Sequence, residues 1–189
     1  MSKTKRFIDF SLSVILLILL FPLMFLFGIL IKVSSKGPII HWSKRVGINN
    51  RIFYMPKFRT MKIDTPQVAT HLLSNPESYL TPIGNFIRRF SIDELPQLIS
   101  IAQGEMSFIG PRPALHNQKD LIEYRTKDGI HNMKPGITGW AQVNGRDELT
   151  ISQKVSFERD YMNQRSLSFD VYIIWLTLLK VIRNDGISH

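Results

Sequence analysis

The chain has 189 residues, of which 44% are hydrophobic, and it carries a formal net charge of +9. This length and apolar content suit one compact domain with an appendage, and they exclude a disordered polypeptide. The absence of cysteine excludes disulfides, thiolate zinc sites and a cysteine nucleophile. The five histidines show no metal-ligand spacing, so a histidine zinc site is not expected either.

The first element is an uncharged apolar segment, residues 10–31. As a helix it would be roughly 33 Å long, about the thickness of the hydrocarbon core of a bilayer. A buried core helix rarely needs so long an uncharged run, and no small-residue cleavage site follows that would indicate a signal peptide. The segment therefore predicts membrane association.

Pro22 and the flanking charges bear on how the segment inserts. Pro22 removes one backbone hydrogen bond and clashes with the preceding turn, so it predicts a break in the helix. Basic residues collect on cytoplasmic flanks, which draws both ends to the same face. A re-entrant helix broken at Pro22 satisfies both facts, and a tilted single span is the alternative. The basic flanking residues are Lys3, Lys5 and Arg6 before the segment and Lys32, Lys36, Lys44 and Arg45 after it.

The positive charge belongs to the first third of the chain. Residues 1–63 hold eleven Lys and Arg against one acid, Asp9, which gives +10 and leaves about −1 for the rest. A juxtamembrane basic stretch is attracted to anionic lipid by about 1 kcal/mol per charge. No zinc finger or aromatic RNP-type strand supports the alternative of nucleic-acid binding. We therefore expect an anionic membrane lipid as a partner and no nucleic acid.

After the membrane region, residues 1–36, we expect one domain at residues 37–189. The fold class is α+β: a small, mostly helical domain with a short sheet and interfacial amphipathic helices. The last helix suits the membrane interface because Tyr172 and Trp175 lie above basic residues, although core packing is an alternative. The other predicted elements are strands 52–55 and 57–61 separated by Pro56, a weakly helical stretch 66–80, and helices from 91–96 to Gly104, 114–127 and 166–183.

Asp93 and Glu94 are adjacent carboxylates that follow Arg88 and Arg89 near a helix start. Ser91 and Glu94 also have the spacing of a capping box, in which Glu94 would only cap the helix. Pro96 argues for a helix start near 95–96 instead, which leaves both acids exposed before the first turn. Paired acids beside arginines suit phosphate transfer, since a carboxylate can attack phosphorus or hold magnesium while arginine binds phosphoryl oxygens.

Two later segments supply further candidates. Pro111 and Pro113 fix the backbone on either side of Arg112, so that a stiff loop presents this arginine; a simple turn is the alternative. Residues 134–146 contain three glycines that permit close backbone approach. Their amides, together with Trp140 and Arg146, could hold a base and its phosphates. No Walker A sequence occurs anywhere in the chain.

In combination these motifs resemble the small monotopic phosphoglycosyl transferases, bacterial sugar transferases that start glycan assembly on polyprenyl phosphate. The resemblance covers nearly the whole chain. It is carried by residues 5–9, 35–39, 57–61, 91–97, 110–113 and 135–146, and by Tyr161, Ser166 and Asp170.

The resemblance implies a re-entrant membrane helix and a catalytic domain on the cytoplasmic face of the bacterial inner membrane. It implies that Asp93 attacks the sugar-bearing phosphate of a UDP-sugar, releases UMP and forms a covalent phosphosugar intermediate, which polyprenyl phosphate then resolves. Glu94 would be an acid/base or metal ligand, with Mg²⁺ held by Asp93 and Glu94. Further residues carry over as phosphate-binding (Arg88, Arg112, Arg59, Arg146) or nucleotide-binding (Trp140, Gln142).

The chain departs from the family pattern at Ser43, where glutamine is usual, and at Glu105, where aspartate is usual. Larger members carry an extra multi-span N-terminal region, so this chain resembles a minimal catalytic unit. Stretches 64–76 and 145–147 resemble members that use N-acetylated amino or deoxyamino sugars. The final glycan (capsule, O-antigen or glycoprotein) and a homodimer are left open. The alternatives are a membrane glycosyltransferase that releases UDP and a non-catalytic basic adaptor.

Overall fold

The computed structural model describes residues 2–66, 75–145 and 148–183. Within them the chain is a mixed α and β protein that begins with one long apolar helix. The elements in order are α1 (Lys3–Ser34), β1 (Ile40–Val46), β2 (Ile52–Phe58), α2 (Gly84–Arg89), α3 (Gln97–Gln103), β3 (Ser107–Ile109), β4 (Ala114–Leu115), α4 (Lys119–Lys127), β5 (Gly136–Thr138), α5 (Trp140–Val143), α6 (Ile151–Gln164) and α7 (Leu167–Arg183).

Helix α1 runs through Pro22 without interruption. Ser2 caps it by accepting a hydrogen bond of 3.2 Å from the backbone N of Lys5. By length and composition α1 can cross a membrane, and only 17% of its most apolar stretch is buried. Membrane association is therefore compatible with the structure, while re-entrant insertion at Pro22 stays a prediction.

The N-terminal part of α1 is bonded to the rest of the domain. The two terminal guanidinium nitrogens of Arg6 donate to the carbonyls of Ile101 and Ala102 at 2.6 and 2.7 Å, where α3 ends. The buried carboxylate of Asp9 accepts a hydrogen bond of 2.8 Å from Ser107 in β3. A cationic side chain suits the carbonyl end of a helix. These contacts make α1 an integral part of the described fold.

Strand β1 lies between β2 and β4 in an antiparallel sheet, and β3 pairs in parallel with β5. The prediction of two strands separated by Pro56 was wrong, because β2 is continuous and Pro56 lies opposite Trp42. Proline is tolerated there because β2 is an edge strand, on which a missing N–H costs no ladder bond. Beyond β2, Met61 forms an isolated bridge with Leu80.

The predicted helix boundaries hold for α3 and fail before α4. Helix α3 ends at Gly104, whose φ of +87° suits glycine. The helix predicted from residue 114 begins only at Lys119, because Ala114 and Leu115 pair with β1 instead. In the stretch predicted as weakly helical, residues 67–74 lie outside the described residues, and Pro76–Tyr79 form a single 3₁₀ turn.

Helix α7, predicted from residue 166, begins at Leu167 and has two different faces. Ile173 is fully buried in a core cluster with Tyr161 and Val155. The other face is apolar and exposed, with Tyr172, Trp175 and Leu178 among its residues. Both interpretations of this helix are therefore supported: it packs against the core and presents an apolar surface suited to a membrane interface.

Candidate active site

Asp93 and Glu94 lie on a 3₁₀ turn, Ile92–Glu94, between α2 and α3. The capping-box alternative was wrong: Ser91 has a left-handed φ of +53°, and its side chain makes no cap hydrogen bond. Helix α3 instead begins at Gln97 with Pro96 as its N-cap. This is the position that the proline argument favoured, and it leaves both acids outside the helix. The expectation that both acids would be exposed was wrong, because Asp93 is buried and each of the two side chains is only 13% exposed.

Lys57 holds the two carboxylates from the edge strand β2. Its ammonium donates a hydrogen bond of 2.7 Å to Glu94 Oε1 and lies 3.7 Å from Asp93 Oδ2. All three side chains are between 13% and 15% exposed. The ammonium of Lys57 therefore bridges the two carboxylates in a largely desolvated site. Lys57 was not predicted as a site residue, although its alternation with Arg59 along the strand placed both on one face.

Burial raises the pKa of Asp93 above its usual range. Lys57 opposes this increase, and the neighbouring charge of Glu94 adds to it. Arg88 and Arg112 also lower the pKa of Asp93, which puts both arginines in its electrostatic environment. The site therefore combines a desolvated carboxylate, which is more reactive than a hydrated one, with cations suited to phosphoryl oxygens.

Arg112 contacts the carboxylate pair directly, through a hydrogen bond of 3.1 Å from Nη2 to Glu94 Oε1. Its loop is held by Arg45, which donates to the Pro113 carbonyl at 3.0 Å and to Ser43 Oγ at 2.9 Å. Burial and the charge of Arg112 lower the pKa of Arg45 to about 10. The sequence did not identify Arg45 as a site residue, because its role depends on β1 lying beside β4.

A basic cavity of about 590 Å³ opens on the Asp93 side of the turn. Among its described lining residues Asp93 is the only acid, so the cavity attracts anions. Its size falls within the range of small-molecule sites. The Lys and Arg residues that line it are Lys44, Arg45, Lys57, Arg59, Lys62, Arg88 and Arg112.

A second, largely apolar cavity of about 650 Å³ opens on the Glu94 side. It lies between α1, α3 and α7, and Arg112 lines both cavities. The two carboxylates thus face different surroundings, with Asp93 in the basic cavity and Glu94 in the apolar one. Such an arrangement lets two chemically different substrates approach one reaction centre.

Arg59 lines the basic cavity, but its guanidinium is anchored to the end of α1. Nη1 donates to the carbonyl of Lys36, and Nη2 donates to the carbonyl and hydroxyl of Ser35 at 3.0 and 2.8 Å. A guanidinium suits these unpaired carbonyls at a helix C-terminus. Arg59 thus joins the end of α1 to the wall of the cavity, and its predicted contact with phosphate stays a prediction.

The residues predicted to bind the nucleotide are not brought together. Trp140 packs in an aromatic cluster, with ring centroids 5.1 Å from Phe169 and 6.4 Å from Phe157. Gln142 lines the apolar cavity. Arg146 lies outside the described residues.

The glycines of this segment allow two parts of the backbone to approach each other closely. A Cβ on Gly136 or Gly139 would overlap backbone atoms of Gly110. The close approach predicted from the glycines is present, but it is between two segments of the chain, and it brings the loop before Arg112 against β5.

Comparison with known proteins places the chain among sugar transferases. A family described as "Bacterial sugar transferase" matches residues 1–184. An undecaprenyl-phosphate glucose phosphotransferase from Komagataeibacter xylinus is 40% identical over 94% of this chain and 36% of its own length. A UDP-glucose:undecaprenyl-phosphate glucose-1-phosphate transferase from Escherichia coli K12 is 40% identical over 96% of this chain and 41% of its own.

A more distant relative is named for a different sugar. It is a UDP-N-acetylgalactosamine-undecaprenyl-phosphate N-acetylgalactosaminephosphotransferase from Aeromonas hydrophila, 35% identical over 96% of this chain and 44% of its own length. The chain thus spans less than half the length of these three relatives. Because the family match extends over nearly every residue, the chain belongs to the bacterial sugar transferase family.

Proposed function

We propose that this protein transfers a sugar-1-phosphate from a UDP-sugar to polyprenyl phosphate and releases UMP. The observation that carries the proposal is the buried carboxylate of Asp93, which faces a basic cavity and has Lys57, Arg88 and Arg112 around it. The relatives named for undecaprenyl phosphate and a UDP-sugar support the same pair of substrates. The reaction would be the first membrane step in the assembly of a capsule, O-antigen or glycoprotein glycan.

In the first half-reaction a carboxylate oxygen of Asp93 attacks the sugar-bearing phosphorus. The bond between that phosphorus and the oxygen bridging the two phosphates breaks, and UMP leaves with the bonding electrons. Lys57, Arg88 and Arg112 stabilise the charge that develops on the phosphoryl oxygens. The product is a covalent phosphosugar–Asp93 intermediate.

Glu94 positions the cations that act on the substrate. Its Oε1 accepts hydrogen bonds from both Lys57 and Arg112, so it fixes the two donors relative to Asp93. We assign Glu94 this positioning role in addition to the acid/base or metal-ligand role that the resemblance implies.

The adjacent carboxylates of Asp93 and Glu94 also fit Mg²⁺. No group of three or more possible ligands occurs among the described residues, but Mg²⁺ is commonly bound through one or two carboxylates together with substrate phosphates. When bound, Mg²⁺ would neutralise charge on the diphosphate oxygens.

The donor sugar is proposed to be an N-acetylated amino or deoxyamino sugar, as the resemblance at residues 64–76 and 145–147 implies. Most of residues 64–76, with Arg146 and Asp147, lies outside the described part of the chain. Relatives are named for glucose as well as for N-acetylgalactosamine, so a panel of UDP-sugars tests this choice directly.

The membrane arrangement belongs to the same proposal. We propose that α1 enters and leaves the cytoplasmic leaflet of the bacterial inner membrane with a bend at Pro22. The basic residues on both sides of its apolar stretch support this orientation, as does the bonding of both ends of α1 to the domain. Anionic lipid then neutralises the basic first third of the chain, and a homodimer is compatible with this arrangement.

The identity of the released nucleotide tests the proposal. The full chain in detergent is incubated with undecaprenyl phosphate and each of UDP-glucose, UDP-galactose and UDP-N-acetylated sugars, and UMP and UDP are quantified. We expect UMP from at least one donor and a phosphosugar adduct on the Asp93 peptide by mass spectrometry. Asp93→Asn should lose nearly all turnover, whereas Asp120→Asn, at an exposed acid outside both cavities, should keep it. UDP as the sole product would indicate a glycosyltransferase instead.

A further inference from the structure

The apolar cavity on the Glu94 side differs from the basic cavity in what it can hold. Its wall is dominated by aliphatic side chains, whereas the basic cavity presents seven Lys and Arg residues. A nucleoside diphosphate sugar is polar and anionic, so we expect the basic cavity to supply its binding energy. The aliphatic residues of the apolar cavity include Leu16, Leu95, Leu98, Ile137, Leu178 and Val181.

We propose that this apolar cavity is the acceptor site, which holds the phosphate end of the polyprenyl chain, and that Gln142 orients that phosphate. The inference rests on the proposed function, because it assigns the second substrate of the same reaction to a place of its own. The sequence predicted Gln142 as a nucleotide-binding residue, and this proposal assigns it to the acceptor site instead.

The cavity is continuous with the surface that is suited to contact lipid. Leu16 lies midway along α1, the helix able to cross a membrane, and Leu17 and Leu20 beside it are only partly buried. From α7, Leu178 and Val181 also line the cavity and are 52% and 43% exposed. A polyprenyl chain can therefore extend from the bilayer along α1 and α7 with its apolar surface kept from water.

The lining of the cavity also carries groups suited to a phosphate. Both side-chain amide atoms of Gln142 are buried and have no hydrogen-bond partner among the described residues. An unpaired buried amide is costly, and because both atoms are unpaired an N–H donor is available in either orientation of the amide. Arg112 and Lys180 contribute positive charge, while the acids of the lining are Glu94 and the exposed Glu148.

Arg112 connects this site to the chemistry, because it lines both cavities and bonds to Glu94. In the second half-reaction an oxygen of the acceptor phosphate forms a bond to the phosphorus of the phosphosugar. The bond from that phosphorus to Asp93 breaks, and its electrons restore the carboxylate. The product is a lipid diphosphate sugar, and no other reactant is needed.

Substitution of Leu178 tests the site with a matched control on the same helix. Leu178→Trp fills the cavity mouth, whereas Val171→Trp makes a similar change seven residues earlier, at an exposed position outside the cavity lining. The first half-reaction is followed separately, as exchange of labelled UMP into the UDP-sugar that supports turnover, with no acceptor present. Undecaprenyl phosphate is the acceptor probe.

We expect Leu178→Trp to raise the KM for undecaprenyl phosphate at least tenfold with UMP exchange unchanged, and Val171→Trp to change neither. An unchanged acceptor KM in Leu178→Trp would overturn the proposal. If Leu178→Trp also loses exchange, Leu178→Gln tests the site in another way, because it keeps a similar volume and makes the apolar wall polar; it should raise the acceptor KM with exchange unchanged. Absence of UMP exchange in the wild type would instead contradict the proposed function.

Gln142→Leu tests the orienting amide. We expect a severalfold to tenfold rise in the KM for undecaprenyl phosphate, with the KM for the UDP-sugar and the UMP exchange rate unchanged. Gln164→Leu, at the exposed end of α6, is the control and should behave as wild type. A rise in the KM for the UDP-sugar alone would indicate that Gln142 contacts the nucleotide, and it would overturn the assignment of Gln142 to the acceptor.

Discussion

The ammonium of Lys57 donates a hydrogen bond of 2.7 Å to Glu94 Oε1, and this bond joins the edge strand β2 to the turn before α3. Lys57 follows Pro56 within β2, where proline is tolerated because β2 is the edge strand of the described sheet. The position of Lys57 thus depends on the sheet, whereas the position of the carboxylates depends on the turn. One side-chain contact fixes the two relative to each other.

Lys57→Met should therefore reduce turnover strongly while the protein stays folded. Removing one charged donor from a site where transition-state charge develops costs about 10²–10³-fold in rate. Lys36→Met makes the same chemical change at an exposed side chain outside both cavities and should leave turnover near that of the wild type. UMP release at saturating donor measures both variants. Equal activity of the two would contradict the role of Lys57.

The sequence predicted the acids and arginines of the site but missed the residues that depend on the sheet. Asp93, Glu94, Arg88 and Arg112 stood out because carboxylates beside arginines and proline-flanked arginines are recognisable in short stretches. Lys57 was missed because a lysine in a strand is usually solvated. Its burial follows from the pairing of strands that are distant from the carboxylates in the sequence, which no local pattern records.

The buried pair between Arg125 and Glu158 gives a test of stability separate from chemistry. Two guanidinium–carboxylate bonds join the pair, Glu158 is 2% exposed, and neither residue lines the two cavities of the site. Glu158→Gln leaves Arg125 buried without its counter-charge, which costs about 3–5 kcal/mol. The thermal unfolding midpoint in detergent should fall clearly.

The adjacent pair between Arg159 and Asp128 is the control for this stability test. Its side chains are 51% and 24% exposed, and exposed pairs contribute about 0–1 kcal/mol. Asp128→Asn should therefore leave the unfolding midpoint almost unchanged. A loss of stability as large as that of Glu158→Gln would show that burial is not what distinguishes the two pairs.

The fold could be anticipated where local chemistry decides it. The ends of α3 followed from Pro96 and Gly104, because proline and glycine restrict or permit particular backbone angles wherever they occur. The start of α4 could not be anticipated in this way. Residues 114–115 have no local signal against helix, and they form a strand only because β1 offers unpaired backbone groups to them.

Gly136→Ala should destabilise the domain, because a Cβ at this position would overlap the backbone of Gly110 in the loop before Arg112. Forcing the two segments apart is an overpacking change that costs about 1–3 kcal/mol. It should also displace Arg112 and lower turnover. Gly28→Ala is the control, since its nearest neighbour is 3.6 Å away and its helical backbone accepts alanine. Thermal unfolding and UMP release measure both variants.

The hydroxyl of Tyr161 gives a prediction about pH. It donates a hydrogen bond of 2.7 Å to Asp170 Oδ1, and Asp170 Oδ2 accepts one of 2.7 Å from the ammonium of Lys5 at the start of α1. Burial and the contact with Asp170 raise the pKa of Tyr161 well above the ordinary value for tyrosine. The folded protein therefore favours the protonated phenol.

The sign of the effect on stability follows from the raised pKa. The contribution of Tyr161 is fully present below about pH 10, where an unfolded tyrosine is still protonated, and it decreases as the pH rises toward the higher folded pKa. The stability difference between the wild type and Tyr161→Phe should therefore shrink above about pH 10. Thermal unfolding of both proteins at pH 8 and at several values above pH 10 measures this difference.

Alkaline titration of tyrosine absorbance checks the protonation state itself. The chain has five tyrosines, and Tyr124 is 53% exposed. Tyr161 should contribute nothing to the absorbance change that accompanies tyrosine ionisation around the ordinary pKa near 10, and Tyr124→Phe, which removes an exposed phenol, is the comparison variant. Tyr161→Phe should show the whole of that change, because the phenol of Tyr161 in the wild type stays protonated in this range. A smaller change in Tyr161→Phe than in the wild type would mean that burial and the bond to Asp170 do not keep the Tyr161 phenol protonated.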